Sequence, residues 1–464
     1  MVYDLCFVIR YLQFVHPMDS IREIYRIGYG PSSSHTMAPR KAAELFYQRH
    51  PDAAHYEVTL YGSLAATGKG HLTDVAIQQS IPGIQILWEP HVFKPFHPNG
   101  MEFRAYDAVG AELARWLVYS IGGGALAEEQ DSQDPLQLPL QEHPTARCLQ
   151  GPRGGGRVSK LPSSIETNSA PSLQDHPKNQ RFFGDPGREG RGGSSLSSIL
   201  RYCESSGKGY WEYVEECEGA DIWDYLRLVW QTMVEAVERG IDAEGVLPGP
   251  LHLRRKANSY FVKASGYRDN IRTRALVFAY ALAVAEENAA GGKIVTAPTC
   301  GSCGVMPGVL YHLWKSKDFS EMRILHALAT AGLIGNVVKH NASISGAEVG
   351  CQGEVGVACA MAAAAATQLF GGSVAQIEYA AEMGLEHHLG MTCDPVCGLV
   401  QIPCIERNAY AAARALDANL YASFTDGNHR VSFDKVVEVM KQTGHDLPSL
   451  YKETGEGGLA KDWK

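Results

Sequence analysis

Hydrophobic and polar positions change period once along this chain, and the change divides it. Near the N-terminus the apolar residues alternate with polar ones in short runs. Tyr56-Glu57-Val58-Thr59-Leu60-Tyr61 is strand-like, and Ile84-Gln85-Ile86-Leu87-Trp88 follows a Pro82-Gly83 turn as a second strand. A helical stretch from Ala42 to Phe46 lies upstream. Far downstream the spacing lengthens to three and four: Trp223, Leu226, Val229, Trp230, Met233 and Val237 mark a helix over Asp221 to Glu238, and Ile271 to Glu287 behaves in the same way. Val357 to Leu369 is mostly alanine with Cys359 and Met361, which predicts close helix–helix approach inside a bundle. The expected architecture is α+β in two domains, a small N-terminal α/β domain at 18–128 followed by a mostly α-helical domain at 198–464.

Between the two periods, residues 129–197 turn rich in Pro, Gly, Ser, Gln and Arg, with Gly151-Pro152-Arg153-Gly154-Gly155-Gly156-Arg157 as an extreme case. Such a segment buries too little apolar surface to offset its ordering entropy, so a linker or insertion is expected there. Residues 1–17 read as an N-terminal extension: Leu5-Cys6-Phe7-Val8-Ile9 is apolar, but Asp4 precedes it and no small-residue cleavage site follows, which makes a poor signal peptide. Met18 is the expected natural start.

The 464 residues suit two or three domains, and a net charge of −9 gives no electrostatic reason to expect nucleic acid or an anionic membrane as partner. No apolar run reaches the roughly 18 residues a spanning helix needs. Eleven cysteines, an odd number spread thinly, favour reduced thiols and metal ligation over a disulfide framework, and hence a cytoplasmic setting.

Three of those cysteines sit among glycines and prolines: Gly350-Cys351-Gln352-Gly353, Thr392-Cys393-Asp394-Pro395 and Pro403-Cys404-Ile405-Glu406. Three soft ligands rather than four point to a metal centre with one open position, and thiolates select iron–sulfur clusters, zinc or copper(I). Gly30-Pro31-Ser32-Ser33-Ser34-His35-Thr36 crowds hydroxyls and an imidazole after a Gly-Pro turn. It reads either as a helix cap with spare serines or as a carboxylate-binding helix N-terminus. Gly62 to His71 only superficially resembles a phosphate loop, because its glycines are one residue too far apart and Gly70 stands where Ser or Thr would hold magnesium. Lys69 and His71 remain on a flexible loop, and His97-Pro98-Asn99-Gly100 adds an imidazole beside an amide. Cys300-Gly301-Ser302-Cys303 is a lone C-x-x-C that could combine with Cys393 and Cys397 as a zinc site, although the long gap between the pairs argues against it.

At Asn341-Ala342-Ser343-Ile344-Ser345-Gly346-Ala347-Glu348-Val349-Gly350-Cys351-Gln352-Gly353-Glu354, Thr392 to Pro395 and Val400 to Asn408, the chain resembles the iron–sulfur-dependent L-serine dehydratases, or L-serine ammonia-lyases. The resemblance extends to Gly30–Thr36, Gly68–His71, His97–Gly100 and Thr296–Thr299, and covers nearly all of 18–128 and 196–464. It implies a β-type domain related to allosteric substrate-binding modules and an α-type domain holding a [4Fe–4S] cluster on Cys351, Cys393 and Cys404. It implies elimination from L-serine to pyruvate and ammonia, the cluster's open iron acting as Lewis acid, with no pyridoxal phosphate. The amino acid is expected near Ser32, Ser33, Ser34, His35, Thr36, Lys69, His71 and Asn99, with His71 as general base and His35 second.

Two departures from the family pattern accompany the resemblance. The stretch preceding Ile199 is longer than expected of a relative, and the chain is slightly short around Gln78 to Gln85. An electron-transfer protein would close its cluster with four compact cysteines. A regulatory serine-binding protein is the closer rival, and pyruvate formation separates it from a lyase. A homodimer is the default assembly.

Overall fold

A computed structural model describes residues 18–128 and 194–463. The extension at 1–17 and most of the 129–197 segment lie outside the described residues. Strand β1 (Ile27–Tyr29) comes first. A five-residue π-helical turn at Ser33–Met37 then leads into α1 (Ala38–Arg49). Next come β2 (His55–Tyr61), α2 (Gly62–Thr67), α3 (Thr73–Ser80), β3 (Gln85–Glu89), β4 (Gly100–Tyr106), β5 (Glu112–Ser120) and β6 (Leu126–Glu128).

Five of these strands form a mixed sheet in the order β3-β2-β4-β5-β6, with β2 parallel to β3 and antiparallel to β4. Strand β2 is the strand the alternation of Tyr56–Tyr61 predicts, and β-branched and aromatic side chains suit its pleated, half-covered surface. Helix α1 covers the sheet through Phe46, whose ring lies 5.4 Å from Phe103 and 6.3 Å from Trp116. Burying one such aromatic stabilises by about 1.5–3 kcal/mol.

After Ser194 the chain is helical: α4 (Leu196–Ser206), α5 (Tyr210–Glu218), α6 (Ile222–Asp242), α7 (Ala257–Ala264) and α8 (Asp269–Ala289). The short β7 (Lys293–Val295) follows, then α9 (Val305–Lys317), α10 (Glu321–Asn341), α11 (Gly346–Val349), α12 (Val355–Leu369), α13 (Val374–Glu386), α14 (Cys404–Ser423) and α15 (Phe433–Asp446). Helix α4 starts at Leu196, capped by Ser195, and Asp434 accepts from the Leu196 and Ser197 amides at 2.8 and 2.9 Å.

Helix α12 is the axis of the bundle, with every residue but Gln368 buried and α9, α10, α13 and α14 packed around it. Its alanines let the backbones approach: a Cβ added at Gly384 of α13 would fall 2.8 Å from the Ala360 Cα. The same device recurs at Gly240 of α6, where an added Cβ would stand 2.3 Å from the Ala283 carbonyl oxygen.

The described residues fall in one compact unit. Residues 21–29 pack with the helices: Ile21, Ile24 and Tyr25 belong to the helical core, the Tyr25 hydroxyl donates to Leu328 O at 2.9 Å, and β1 pairs antiparallel with β7. No helix among the described residues is long and apolar enough to cross a membrane.

Candidate active site

The π-helical turn shapes one wall. Ser32 caps it, its Oγ accepting from the His35 amide at 3.1 Å, while the Thr36 hydroxyl accepts from the Ser32 amide and donates to His71 O at 2.6 Å. Ser32, Ser33, Ser34, His35 and Thr36 are all buried. Capping and site-building therefore coexist here, since the hydroxyls that close the turn also hold the next loop in place.

His35 and His71 meet with ring centroids 4.5 Å apart. His35 Nε2 lies 3.2 Å from the carbonyl oxygen of Ser63, which can only accept, so Nε2 carries the proton and Nδ1 accepts from the Ser34 hydroxyl at 2.8 Å. Burial is the main reason the His35 pKa falls to about 4. His71 is wholly buried, and neither ring nitrogen has a hydrogen-bond partner. Burial, and then the neighbouring His35, lower its pKa well below the usual imidazole value. A buried polar atom without a partner costs roughly 1–3 kcal/mol, and His71 carries two.

His97 and Asn99 stand on the loop before β4. His97 Nδ1 accepts from the Asn99 amide at 3.1 Å, and its Nε2 lies 3.4 Å from Glu348 Oε1 without hydrogen-bond geometry. Asn99 Oδ1 lacks a partner, as do the buried hydroxyls of Ser120 and Ser345. Ser345 packs near Gly122, so these groups line the seam between sheet and helices. Lys69 is exposed, 5.6 Å from the Trp88 ring centroid, and with Gly70, Pro248 and Gln401 it lines a cavity of about 300 Å³.

The opposite wall carries the thiols. Cys351 opens a 3₁₀ turn after Gly350, whose φ of +75° favours glycine. Cys404 opens α14, and Cys393 lies in the loop between α13 and α14. All three are buried. The Cys393 thiol is held above its usual pKa by a hydrogen bond with Cys351 and by burial, and Cys404 by burial and then Cys351.

Glu354 Oε2 lies 3.8 Å from Cys351 Sγ and 4.0 Å from Cys393 Sγ, while its Oε1 accepts from the Thr299 hydroxyl at 2.8 Å. Arg407 donates to Thr392 O at 2.7 Å. Burial works against the Arg407 charge, but the three thiols and Asp394 more than restore it. Glu453, near the C-terminus, joins the same wall with a carboxylate oxygen 3.6 Å from His35 Nδ1. Burial and Glu453 push Glu354 up to about 8, and burial and Cys351 push Glu453 to about 8. Two groups of side chains stand close enough to share an ion: His35, His71 and Glu453, and Cys351, Glu354 and Cys393.

Cys300 and Cys303 belong to neither group; Cys300 Sγ rests 3.4 Å from Met37 Sδ and Cys303 is buried against Val284 O. Other polar residues near the cysteines in sequence go elsewhere. Glu406 pairs with Lys256 at 2.7 Å, Lys339 with Asp19 at 2.9 Å, and Asn341 donates to Ser194 O. Sequence reasoning missed Glu453, Ser120 and Ser345. The signal for Glu453 was its setting, an acid before the glycine-rich Thr454-Gly455-Glu456-Gly457-Gly458.

A sheet-based module and a helical module with three buried thiols thus meet in one interior. The Serine dehydratase alpha chain family model matches residues 126–460, and the Serine dehydratase beta chain model matches 20–87 and 81–131. The L-serine dehydratase of Streptomyces coelicolor is 39% identical over 95% of this chain and 98% of its own length. L-serine dehydratase TdcG of Escherichia coli is 38% identical over 96% and 99%, and the Haemophilus influenzae L-serine dehydratase 36% over 96% and 99%. The chain belongs to the serine dehydratase family, with both unit types on one polypeptide.

Proposed function

We propose that this chain is an L-serine ammonia-lyase that converts L-serine to pyruvate and ammonia, with Cys351, Cys393 and Cys404 holding a [4Fe–4S] cluster and no need for pyridoxal phosphate. One observation carries the reading: a wholly buried His71 with both ring nitrogens unpartnered, in the same interior as three buried thiols of which Cys351 and Cys393 stand together. The thiols suit such a cluster. They are soft donors buried close enough for Cys351 to act on both Cys393 and Cys404, and a metal centre would stabilise them as thiolates.

When bound, the cluster supplies a Lewis-acidic iron with an open position, which makes the serine hydroxyl a better leaving group. The protein's own residues do the rest. His71, kept neutral by burial, takes the Cα proton; the released electron pair forms the Cα–Cβ double bond as hydroxide departs from Cβ. Aminoacrylate then tautomerises to the imine, and water releases pyruvate and ammonia. His35 is the weaker candidate for base, because one nitrogen donates to Ser63 and the other faces Ser34. Ser120 and Ser345 offer unpartnered hydroxyls that can donate to the carboxylate, Asn99 Oδ1 offers an acceptor for a substrate donor, and Ser32–Thr36 hold the His71 loop.

The test is anaerobic. The chain is reconstituted with iron and sulfide, and pyruvate from L-serine is followed beside the visible spectrum. Pyruvate that appears with the cluster and vanishes in Cys351→Ala, Cys393→Ala and Cys404→Ala supports the lyase; a loaded cluster without pyruvate from L-serine contradicts it. An exposed iron also predicts inactivation in air that iron and a reductant reverse. The assembly we expect is a cytoplasmic homodimer, and sedimentation of the full chain tests the dimer.

A further inference from the structure

Residues 449–460 form a strap across the thiol wall. The Cys393 amide donates to Tyr451 O and the Glu453 amide to Cys393 O, each at 2.8 Å, and the Leu459 amide donates to Asp394 Oδ2 at 2.7 Å. On the other side, the Ser63 hydroxyl donates to Glu453 O at 3.1 Å. The strap therefore reaches across the seam and fixes one residue between both walls.

That residue, Glu453, has φ of +60°, a left-handed conformation that a residue with a Cβ adopts only when its surroundings force it. The conformation sends its carboxylate into the interior, where it, His35 and His71 all lie within 4.8 Å of one another. Glu453 is 6% exposed, yet among the described residues no lysine or arginine lies within ion-pair distance of it. Its ion-pair contact is the His35 ring, whose Nδ1 already accepts from Ser34. A buried carboxyl needs a cation beside it when it ionises, and this one faces the unpartnered His71 with no cationic side chain at hand.

Resting on the lyase reading above, we propose that Glu453 binds the α-ammonium group of the substrate and so selects an α-amino acid over the matching α-hydroxy acid. The substrate brings the missing cation. Its ammonium lies one bond from the Cα whose proton His71 takes, so a carboxylate beside the two imidazoles is placed to hold it. The hydroxyl of an α-hydroxy acid brings no charge, and with it the Glu453 carboxyl gains no counter-ion.

The experiment uses the reconstituted full chain, with L-serine as substrate and L-glycerate, which carries a hydroxyl in place of the ammonium, as competitive inhibitor. In Glu453→Gln the KM for L-serine should rise by about 30-fold or more while the L-glycerate inhibition constant stays within about threefold of the wild type. The visible spectrum reports that the cluster is loaded. Glu453→Asp keeps the charge on a shorter arm and should show the same split less strongly, which preserves the test if the glutamine variant does not fold. A serine KM that does not move, or a loss of L-glycerate binding in parallel with serine, overturns the assignment. A wild-type chain that forms no pyruvate overturns the lyase reading itself, whereas an active wild type with an unmoved KM in Glu453→Gln overturns only the role of Glu453.

Discussion

The two walls of the site are made from opposite chemistry. The wall built on the sheet and the π-helical turn presents neutral groups, and several of them, His71, Asn99 and Ser120, have atoms with no partner. The helical wall presents thiols, Glu354 and Arg407, engaged with one another and with backbone, and only Glu453 on its strap turns towards the first wall. In the lyase we propose, the wall whose polar groups engage one another would hold the permanent cluster, and the wall with unspent hydrogen bonds would meet the substrate.

The comparison predicts separable losses. Removing a thiol should cost most: Cys404→Ala is expected to lose the cluster's visible absorbance and to lower turnover by about a thousandfold or more, measured as pyruvate per chain. On the guest-binding wall the losses are smaller and spare the resident. Asn99→Ala should raise the L-serine KM by about fivefold to tenfold, the worth of one neutral hydrogen bond, with the absorbance unchanged. An equal loss of absorbance in Asn99→Ala would mean that the walls are not divided in this way.

Away from both walls, a change should act on stability alone. Gly240→Ala forces a Cβ against the Ala283 carbonyl and is expected to destabilise by about 1–3 kcal/mol, read as a lower denaturation midpoint, with turnover of the folded enzyme intact. The smallest effect is acid sensitivity. His312 and His388 are buried in the helical part, and burial lowers each pKa from 6.5 to about 4. Between those values the unfolded chain binds protons that the folded one does not. The contribution of these two rings to stability should therefore fall as pH drops from 6.5 towards 4, opposite in sign to that of Glu354 and Glu453, and urea titrations of wild type beside His312→Gln at stepped pH would isolate it. A midpoint difference between the two proteins that stays constant across that window would contradict it.

Much of this was legible in the sequence because it is local. Alternation over Tyr56–Tyr61 and three-and-four spacing over Asp221–Glu238 report which face each element buries, and the alanines of Val357–Leu369 report close packing directly. The thiols were legible through their glycine and proline settings. What was not legible depends on distant pairings. Ile21, Ile24 and Tyr25 pack against helices some 300 residues downstream, a contact no local period encodes. Glu453 reaches His35 only because a strap with no regular period crosses from one wall to the other. Ser120 and Ser345 look like ordinary strand-end and loop serines until the fold leaves their hydroxyls without partners.

The most direct test of the divided site is a single sample of His71→Ala, reconstituted anaerobically and mixed with L-serine. The account predicts a cluster spectrum equal to wild type that still shifts when L-serine is added, with pyruvate formation lowered by about a hundredfold to ten-thousandfold. Near wild-type pyruvate from that sample with the cluster intact would contradict His71 as the base, and loss of the cluster itself would contradict the separation of the two walls.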